Sequence, residues 1–143
     1  MLKGINPLLG PELLKILRAM GHGDEIAIVD GNYPADADAK RLVRMDGHRV
    51  PDILDAVLSV MPLDDMVPEA CWRPAPQNDA SRVEPIFKEF ESIVAAREPK
   101  QKIHVLVGDS FYTRVKSAYA LIATSEPRLY GNIILKKGVV HFA

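Results

Sequence analysis

Gly21-His22-Gly23-Asp24-Glu25, running into Ile26-Ala27-Ile28-Val29-Asp30, is the stretch on which the fold turns. On its N-terminal side, Pro11 to Met20 reads as a helix. Pro11 suits a first helical position, where its missing N–H leaves nothing unpaired. Leu13, Leu14, Ile16, Leu17 and Met20 repeat at helical spacing, and Gly21 suits the left-handed residue that ends a helix. On its C-terminal side, Glu25 to Val29 reads as a buried strand that delivers a carboxylate, Asp30. Between them His22 sits between two glycines, a ring on a bare backbone.

The alternation continues outward. Gly31 to Asp38 reads as a loop and Arg41 to Met45 as a short strand. Pro51 to Met61 is expected to be a second helix, stopped by Pro62-Leu63-Asp64. Met66 to Gln77, with three prolines, reads as an irregular strand or loop with Trp72 half covered. Ser81 to Arg97 is expected to be a third helix, with Ser81 and Glu84 forming a capping box. Ile103 to Val107 follows as a strand, then a helix from a capping Ser110 to Tyr119. Strands at Ala120–Thr124 and Asn132–Leu135 end the chain, and Lys136-Lys137 reads as a solvated strand end. The fold class is therefore α/β: a single compact domain over residues 1–143, a central β-sheet covered by helices.

Composition excludes several functions. The 143 residues carry 18 Lys and Arg against 19 Asp and Glu, a net charge of -1, which argues against an electrostatic grip on nucleic acid or an anionic membrane. No apolar run approaches the ~20 residues of a membrane span, and no signal peptide is read at the N-terminus. Cys71 is the one cysteine, so no internal disulfide forms, which suits a cytoplasmic location. His22, His48, His104 and His141 show no ligand spacing with one another, and no metal site is expected. Phosphate-binding glycine motifs and a nucleophile elbow are absent.

What remains suits a hydroxylated ligand. His22 can exchange protons near neutral pH, although a surface turn residue is the plainer reading. Asp30 lies at a strand end, where ligands gather in α/β sheets, but it also opens an ordinary Gly-Asn turn. Asp64 is equally a helix-stop residue. Tyr112 falls in the first turn of its helix, either facing a ligand or edging the core. Tyr130-Gly131-Asn132 offers an aromatic face, a close backbone approach and a side-chain amide. That set fits a sugar, or a plain loop before the last strand. If Asp24 to Asp30 is extended, it spans about 20 Å. One small sugar then cannot touch both His22 and Asp30 unless the turn folds back, the strand is shorter, or two subunits share the site.

Taken together, these residues resemble the L-fucose mutarotase and D-ribose pyranase (FucU/RbsD) family. The resemblance rests on Lys3-Gly4-Ile5, Pro11-Glu12-Leu13-Leu14, Met20-Gly21-His22-Gly23-Asp24-Glu25, Asp30, Asn32, Asp46-Gly47, Pro62-Leu63-Asp64, Phe111-Tyr112 with Arg114, and Tyr130-Gly131-Asn132 with Leu135-Lys136-Lys137-Gly138. It is closer to the fucose branch. It implies a ring-shaped homo-oligomer, typically a decamer of two stacked pentamers, that interconverts anomers or ring forms of L-fucose, or of D-ribose, without a cofactor. His22 would match the catalytic acid/base. Asp30, Asp64, Tyr112, Tyr130 and Asn132 would match sugar-contacting positions. In ring opening, Tyr112 or a water would handle the proton transfer opposite to that of His22, and Gly131 would let the backbone approach the ligand. Fucose-branch relatives often carry an arginine three residues before the Phe-Tyr pair, and here that position is Gly108. The departure keeps a second reading open, a non-catalytic sugar-binding protein accessory to uptake.

Overall fold

The computed structural model describes residues 1–143 throughout. Helix α1 (Pro11–Ala19) leads into strand β1 (Glu25–Val29), followed by a one-turn helix α2 (Ala35–Asp38), β2 (Leu42–Met45) and α3 (Val50–Leu58). Next come β3 (Cys71–Pro74), α4 (Pro85–Arg97), β4 (His104–Leu106), α5 (Asp109–Ser117), β5 (Ala120–Thr124) and β6 (Ile133–Lys136). The strands form one mixed sheet in the order β2-β5-β1-β6-β3-β4. β1 runs parallel to β5 and antiparallel to β6, so it is paired on both edges.

Alternation along β1 divides two cores. Ile26 and Ile28 face α1, α3 and α4, packing with Leu13, Ile53, Phe87 and Phe90. Ala27 and Val29 face α5, packing with Phe111, Val115 and Trp72. All four strand residues are completely buried. No helix is long and apolar enough to cross a membrane.

Five local expectations change. Gly21 is not left-handed. α1 ends through Met20 in an extended conformation, and the left-handed residue is Gly23, at φ 88°. Trp72 is buried rather than half covered, because the proline-bounded segment forms β3, and the Arg114 guanidinium lies 3.6 Å from its ring centroid. Ser81 caps nothing: its hydroxyl donates to Asp79, and α4 starts at Pro85. Ser110 lies inside α5, and its hydroxyl donates back to the Val107 carbonyl. Lys137 is not a solvated strand end. Its ammonium donates to the Leu17 and Met20 carbonyls at 2.6 and 2.5 Å, supplying partners to the free C-terminal end of α1.

Cys71 is fully buried in β3, and burial pushes its thiol far above the ordinary range. The thiolate is the reactive form. Cys71 is therefore expected to resist aqueous thiol reagents in the folded protein and to react at full stoichiometry once guanidinium unfolds it, as followed by absorbance of the released chromophore.

Candidate functional site

Two clusters of polar side chains flank β1, one at each end. Before the strand, Lys137 holds the end of α1, and the backbone N–H of Gly21 donates to the Asp24 carboxylate at 2.8 Å. Gly23 and Asp24 pair with Lys137, which extends the β1–β6 pairing outward and keeps the turn from folding back. His22 stands on this turn, its side chain 43% exposed, with Nε2 3.0 Å from Oδ1 of the nearly inaccessible Asp64. Burial alone would raise the Asp64 carboxyl. The Met66 N–H and the His22 ring, both bonded to it, outweigh burial and hold it below the ordinary aspartate range. An ionised Asp64 can only accept, so the His22 nitrogen facing it, Nε2, carries a hydrogen, and in the neutral ring this leaves Nδ1 as the acceptor. Glu25 lies nearby, bonded bidentately by Arg114 at 2.7 Å for each contact.

At the far end, Asp30 and Asn132 lock together. The Asp30 N–H donates to the Asn132 amide oxygen at 2.7 Å, and the Asn132 amide nitrogen donates to the Asp30 carboxylate at 3.1 Å. The other carboxylate oxygen accepts from the Asn32 N–H. Burial nonetheless dominates and raises the Asp30 carboxyl above its ordinary value. The register of β1 against β6 makes this pair possible, because Ile28 faces Ile133 and so brings the residues just beyond, Asp30 and Asn132, together.

Asp30 and Asn132 close the inner end of an open cleft of about 460 Å³, whose walls include Tyr112, Tyr130, Tyr33, Asp38 and Lys116. The rings of Tyr33 and Tyr112 stack at 6.3 Å between centroids and 19° between planes. Burial raises the Tyr112 phenol, with Tyr130 and Asp30 adding to the effect, so it is a protonated donor at neutral pH. Tyr130 adopts a left-handed backbone at φ 61°, which turns its side chain toward the cleft. Gly131 behind it is crowded: a Cβ would lie 2.9 Å from the tip of the Ile86 side chain and 3.0 Å from the Glu126 side chain, so these would have to shift to admit one.

The structure thus groups Asp30, Tyr112, Tyr130 and Asn132 around one cleft, with Gly131 buried beneath it. It sets His22 with Asp64 at the opposite end of β1. Asp109 is exposed and does not line the cleft. Gly108 takes φ 64°, ψ -144°, a backbone open to glycine, so a side chain at this position would need a different turn. No three His, Cys, Asp or Glu side chains converge as metal ligands would. Sequence reading missed Tyr33, whose signal was its place three residues after Asp30, and Asp38, which sits on the unforeseen α2. It also missed Glu126. This carboxylate is completely buried, and Arg128 bonds it through Nε at 2.8 Å while also pairing with Glu89 of α4. A single acid between serine and proline gives no sequence signal of that role.

Comparison with known proteins shows what the chain as a whole is similar to. The RbsD / FucU transport protein family matches residues 3–140. The fucose mutarotase of Mus musculus is 42% identical over 145 aligned residues, covering 97% of this chain and 95% of that protein. A crystal structure of the fucose mutarotase from Streptococcus pneumoniae in complex with L-fucose is 41% identical, with a TM-score of 0.88 over 98% of this chain and 100% of that one. The structure of Bacillus subtilis RbsD complexed with D-ribose is 25% identical, with a TM-score of 0.74 over 99% and 100%. The chain belongs to the RbsD/FucU family.

Proposed function

We propose that this protein is a monosaccharide mutarotase, an isomerase that interconverts the α and β anomers of L-fucose or a related sugar, with each site assembled between two subunits of a homo-oligomer. The observation that carries the proposal is the division of the polar machinery between the two ends of β1. A proton-transfer pair, His22 and Asp64, stands at one end. A hydroxyl-binding cleft stands at the other, about 20 Å along an extended strand. A single chain cannot apply both to one sugar. The fucose mutarotase relatives and the L-fucose complex support the choice of substrate, and the D-ribose complex supports the wider class of free sugars.

The surface favours head-to-tail association. Met66, Val67 and Val140 are exposed beside the His22–Asp64 pair, and Leu129 and Tyr112 are exposed at the cleft. Two different apolar surfaces at opposite ends make a heterologous contact, which closes into a ring when the rotation permits. A decamer of two stacked pentamers is the assembly that the family resemblance implies. A lone reduced cysteine and free-sugar chemistry suit a cytoplasmic setting.

Ring opening breaks the bond between C1 and the ring oxygen. Nδ1 of His22 takes the proton of the anomeric hydroxyl as the carbonyl forms, and the Tyr112 hydroxyl gives a proton to the departing ring oxygen. The open aldehyde rotates about C1–C2. Closure reverses both transfers on the other face, so histidine and tyrosine return to their starting states without a cofactor. Asp64 orients the imidazole. Asp30 and the remaining amide hydrogen of Asn132 hold sugar hydroxyls, Tyr130 covers an apolar face of the ring, and Gly131 lets the backbone come close. The glycine at position 108 favours one rival, sugar binding without turnover.

Magnetisation-transfer NMR between the anomers of L-fucose separates the two. Wild type is expected to exchange them faster than buffer, and His22→Ala to lose about 10²–10⁴-fold. Saturable binding without acceleration by wild type would establish the rival. The shared site gives a second test: an equimolar mixture of inactive His22→Ala and inactive Asp30→Ala, dissociated and reassembled, should recover about a quarter of wild-type activity. No recovery from mixed oligomers would show that each chain carries its own site. A third test uses pH. The depressed Asp64 carboxyl contributes stability in full above the free-aspartate value of 3.8, and that contribution is lost as pH falls below it. The unfolding free energy of wild type should therefore exceed that of Asp64→Asn at pH 7, and urea titrations should show the gap closing in acid.

A further inference from the structure

Two glycines border the His22–Asp64 pair, and they are glycine for different reasons. Gly23 takes a left-handed φ of 88° with open space where a Cβ would stand, so its requirement is torsional. Gly138 closes the Lys136-Lys137-Gly138 stretch, is buried, and has no left-handed φ. Its requirement is space. A Cβ there would lie 2.5 Å from the Leu63 carbonyl oxygen, 2.7 Å from the Leu63 carbonyl carbon and 2.8 Å from the Asp64 Cα. All three are backbone atoms, which cannot swing aside as a side-chain tip can, and they belong to the segment that carries the Asp64 carboxylate.

Residues 136–138 run between the two halves of the pair. On one edge, the Lys137 N–H donates to the Asp24 carbonyl and the Lys137 carbonyl accepts from the Gly23 N–H, both at 2.9 Å. On the other edge, the Lys136 carbonyl accepts from the Asp64 N–H at 3.0 Å, and the Gly138 N–H donates to the Pro62 carbonyl at 2.8 Å. Backbones flanking one strand stand about 10 Å apart, so His22 and Asp64 meet by reaching across it. The end of α4 holds the same segment from outside. The Glu98 carboxylate accepts from the Leu63 N–H at 3.2 Å, and the Gln101 side-chain amide donates to the Asp64 carbonyl at 3.0 Å. Relieving a contact as short as that at Gly138 needs a shift of about 1 Å. A shift of that size in the backbone of Asp64 is enough to break its 3.0 Å bond to His22.

We propose that Gly138 and Gln101 are positioning residues for the mutarotase reaction. The absent side chain at 138 and the amide at 101 set where the Asp64 backbone sits, and so maintain the contact that orients the His22 ring. The assignment rests on the mutarotase reading and adds to it the groups that hold Asp64 in place.

Gly138→Ala, Gln101→Ala, Asp64→Ala and the two double variants containing Asp64→Ala are assayed for L-fucose anomer exchange, and the crystal structure of Gly138→Ala is determined. Gly138→Ala is expected to carry the His22 Nε2 to Asp64 Oδ1 contact beyond hydrogen-bond reach and to lower kcat about 10²-fold with KM little changed. Gln101→Ala removes one hydrogen bond without a clash and should lower kcat about fivefold. Neither change should lower kcat further in the Asp64→Ala background, because the contact it serves is already gone. Residues that only supported the fold would multiply their losses with that of Asp64→Ala. An unaltered His22–Asp64 distance in Gly138→Ala, wild-type kcat in Gln101→Ala, or multiplying losses would each overturn the assignment, while exchange by wild type upholds the mutarotase. If Gly138→Ala does not fold, the Gln101→Ala cycle decides by the same criteria. Absence of exchange by wild type overturns both.

Discussion

Both polar clusters of this chain are placed by one buried strand. β1 is hydrogen-bonded on both edges and packed on both faces, and its four core residues are fully buried. Its two ends are therefore fixed points. The antiparallel register with β6 uses the same pairing twice: it brings Asn132 to Asp30 at one end and Lys137 to the His22 turn at the other. A one-residue slip of β6 would exchange the two faces of the strand and undo both clusters together.

The two ends treat their aspartates in opposite ways. Asp30 is raised because burial outweighs the bonds it receives, whereas Asp64 is lowered because the Met66 N–H and His22 outweigh burial. Environments that push like groups apart are how one site obtains different acid–base roles. Asp64 remains charged and fixes the orientation of the histidine ring, with Nε2 as the donor toward it. Burial has already stripped Asp30 of solvation, so a hydroxyl donated by a ligand in the cleft would replace what was lost. The same logic explains why these carboxylates were hard to weigh from sequence, since each also sits where an ordinary turn or helix stop would place one.

The elements themselves were largely legible. The apolar spacing in α1, the buried run of β1 and the run at Ala120–Thr124 each follow from local pattern, and the structure has them within a residue or two. The failures share a cause. Trp72 reads as half covered because prolines surround it, yet pairing with β4 and β6 makes its segment a strand, and Arg114 covers the ring from a helix forty residues away. Lys137 reads as solvated because adjacent lysines usually are, yet α1 lies where its ammonium can meet two open carbonyls. In each case a distant part of the chain supplies the partner, and local pattern holds no record of it. The separation of His22 from Asp30 is the opposite case. Strand geometry alone requires it, and the extended pairing of Gly23 and Asp24 removes the possibility of a turn folding back.

Tyr130 shows what the cleft demands of the surrounding fold. A left-handed tyrosine costs on the order of 1–3 kcal/mol and persists only where neighbours over-determine it. Here they do. Gly131 is packed against the side chains of Ile86 and Glu126 and close to the Arg128 carbonyl, which crowds the turn on that side. Arg128, two residues earlier, is fastened to buried Glu126 and to Glu89 on α4. Burying Glu126 would be unfavourable alone, but the paired guanidinium and the Arg128 N–H keep its carboxyl below the ordinary range despite burial. The loop is thus ordered before any ligand arrives. A sugar bound as proposed would meet an aromatic face already in position, and binding free energy would not be consumed in arranging it. On the proposed mechanism, the same preorganisation would leave the sugar itself as the moving part, as a reaction requires when its intermediate must rotate about C1–C2 before it closes.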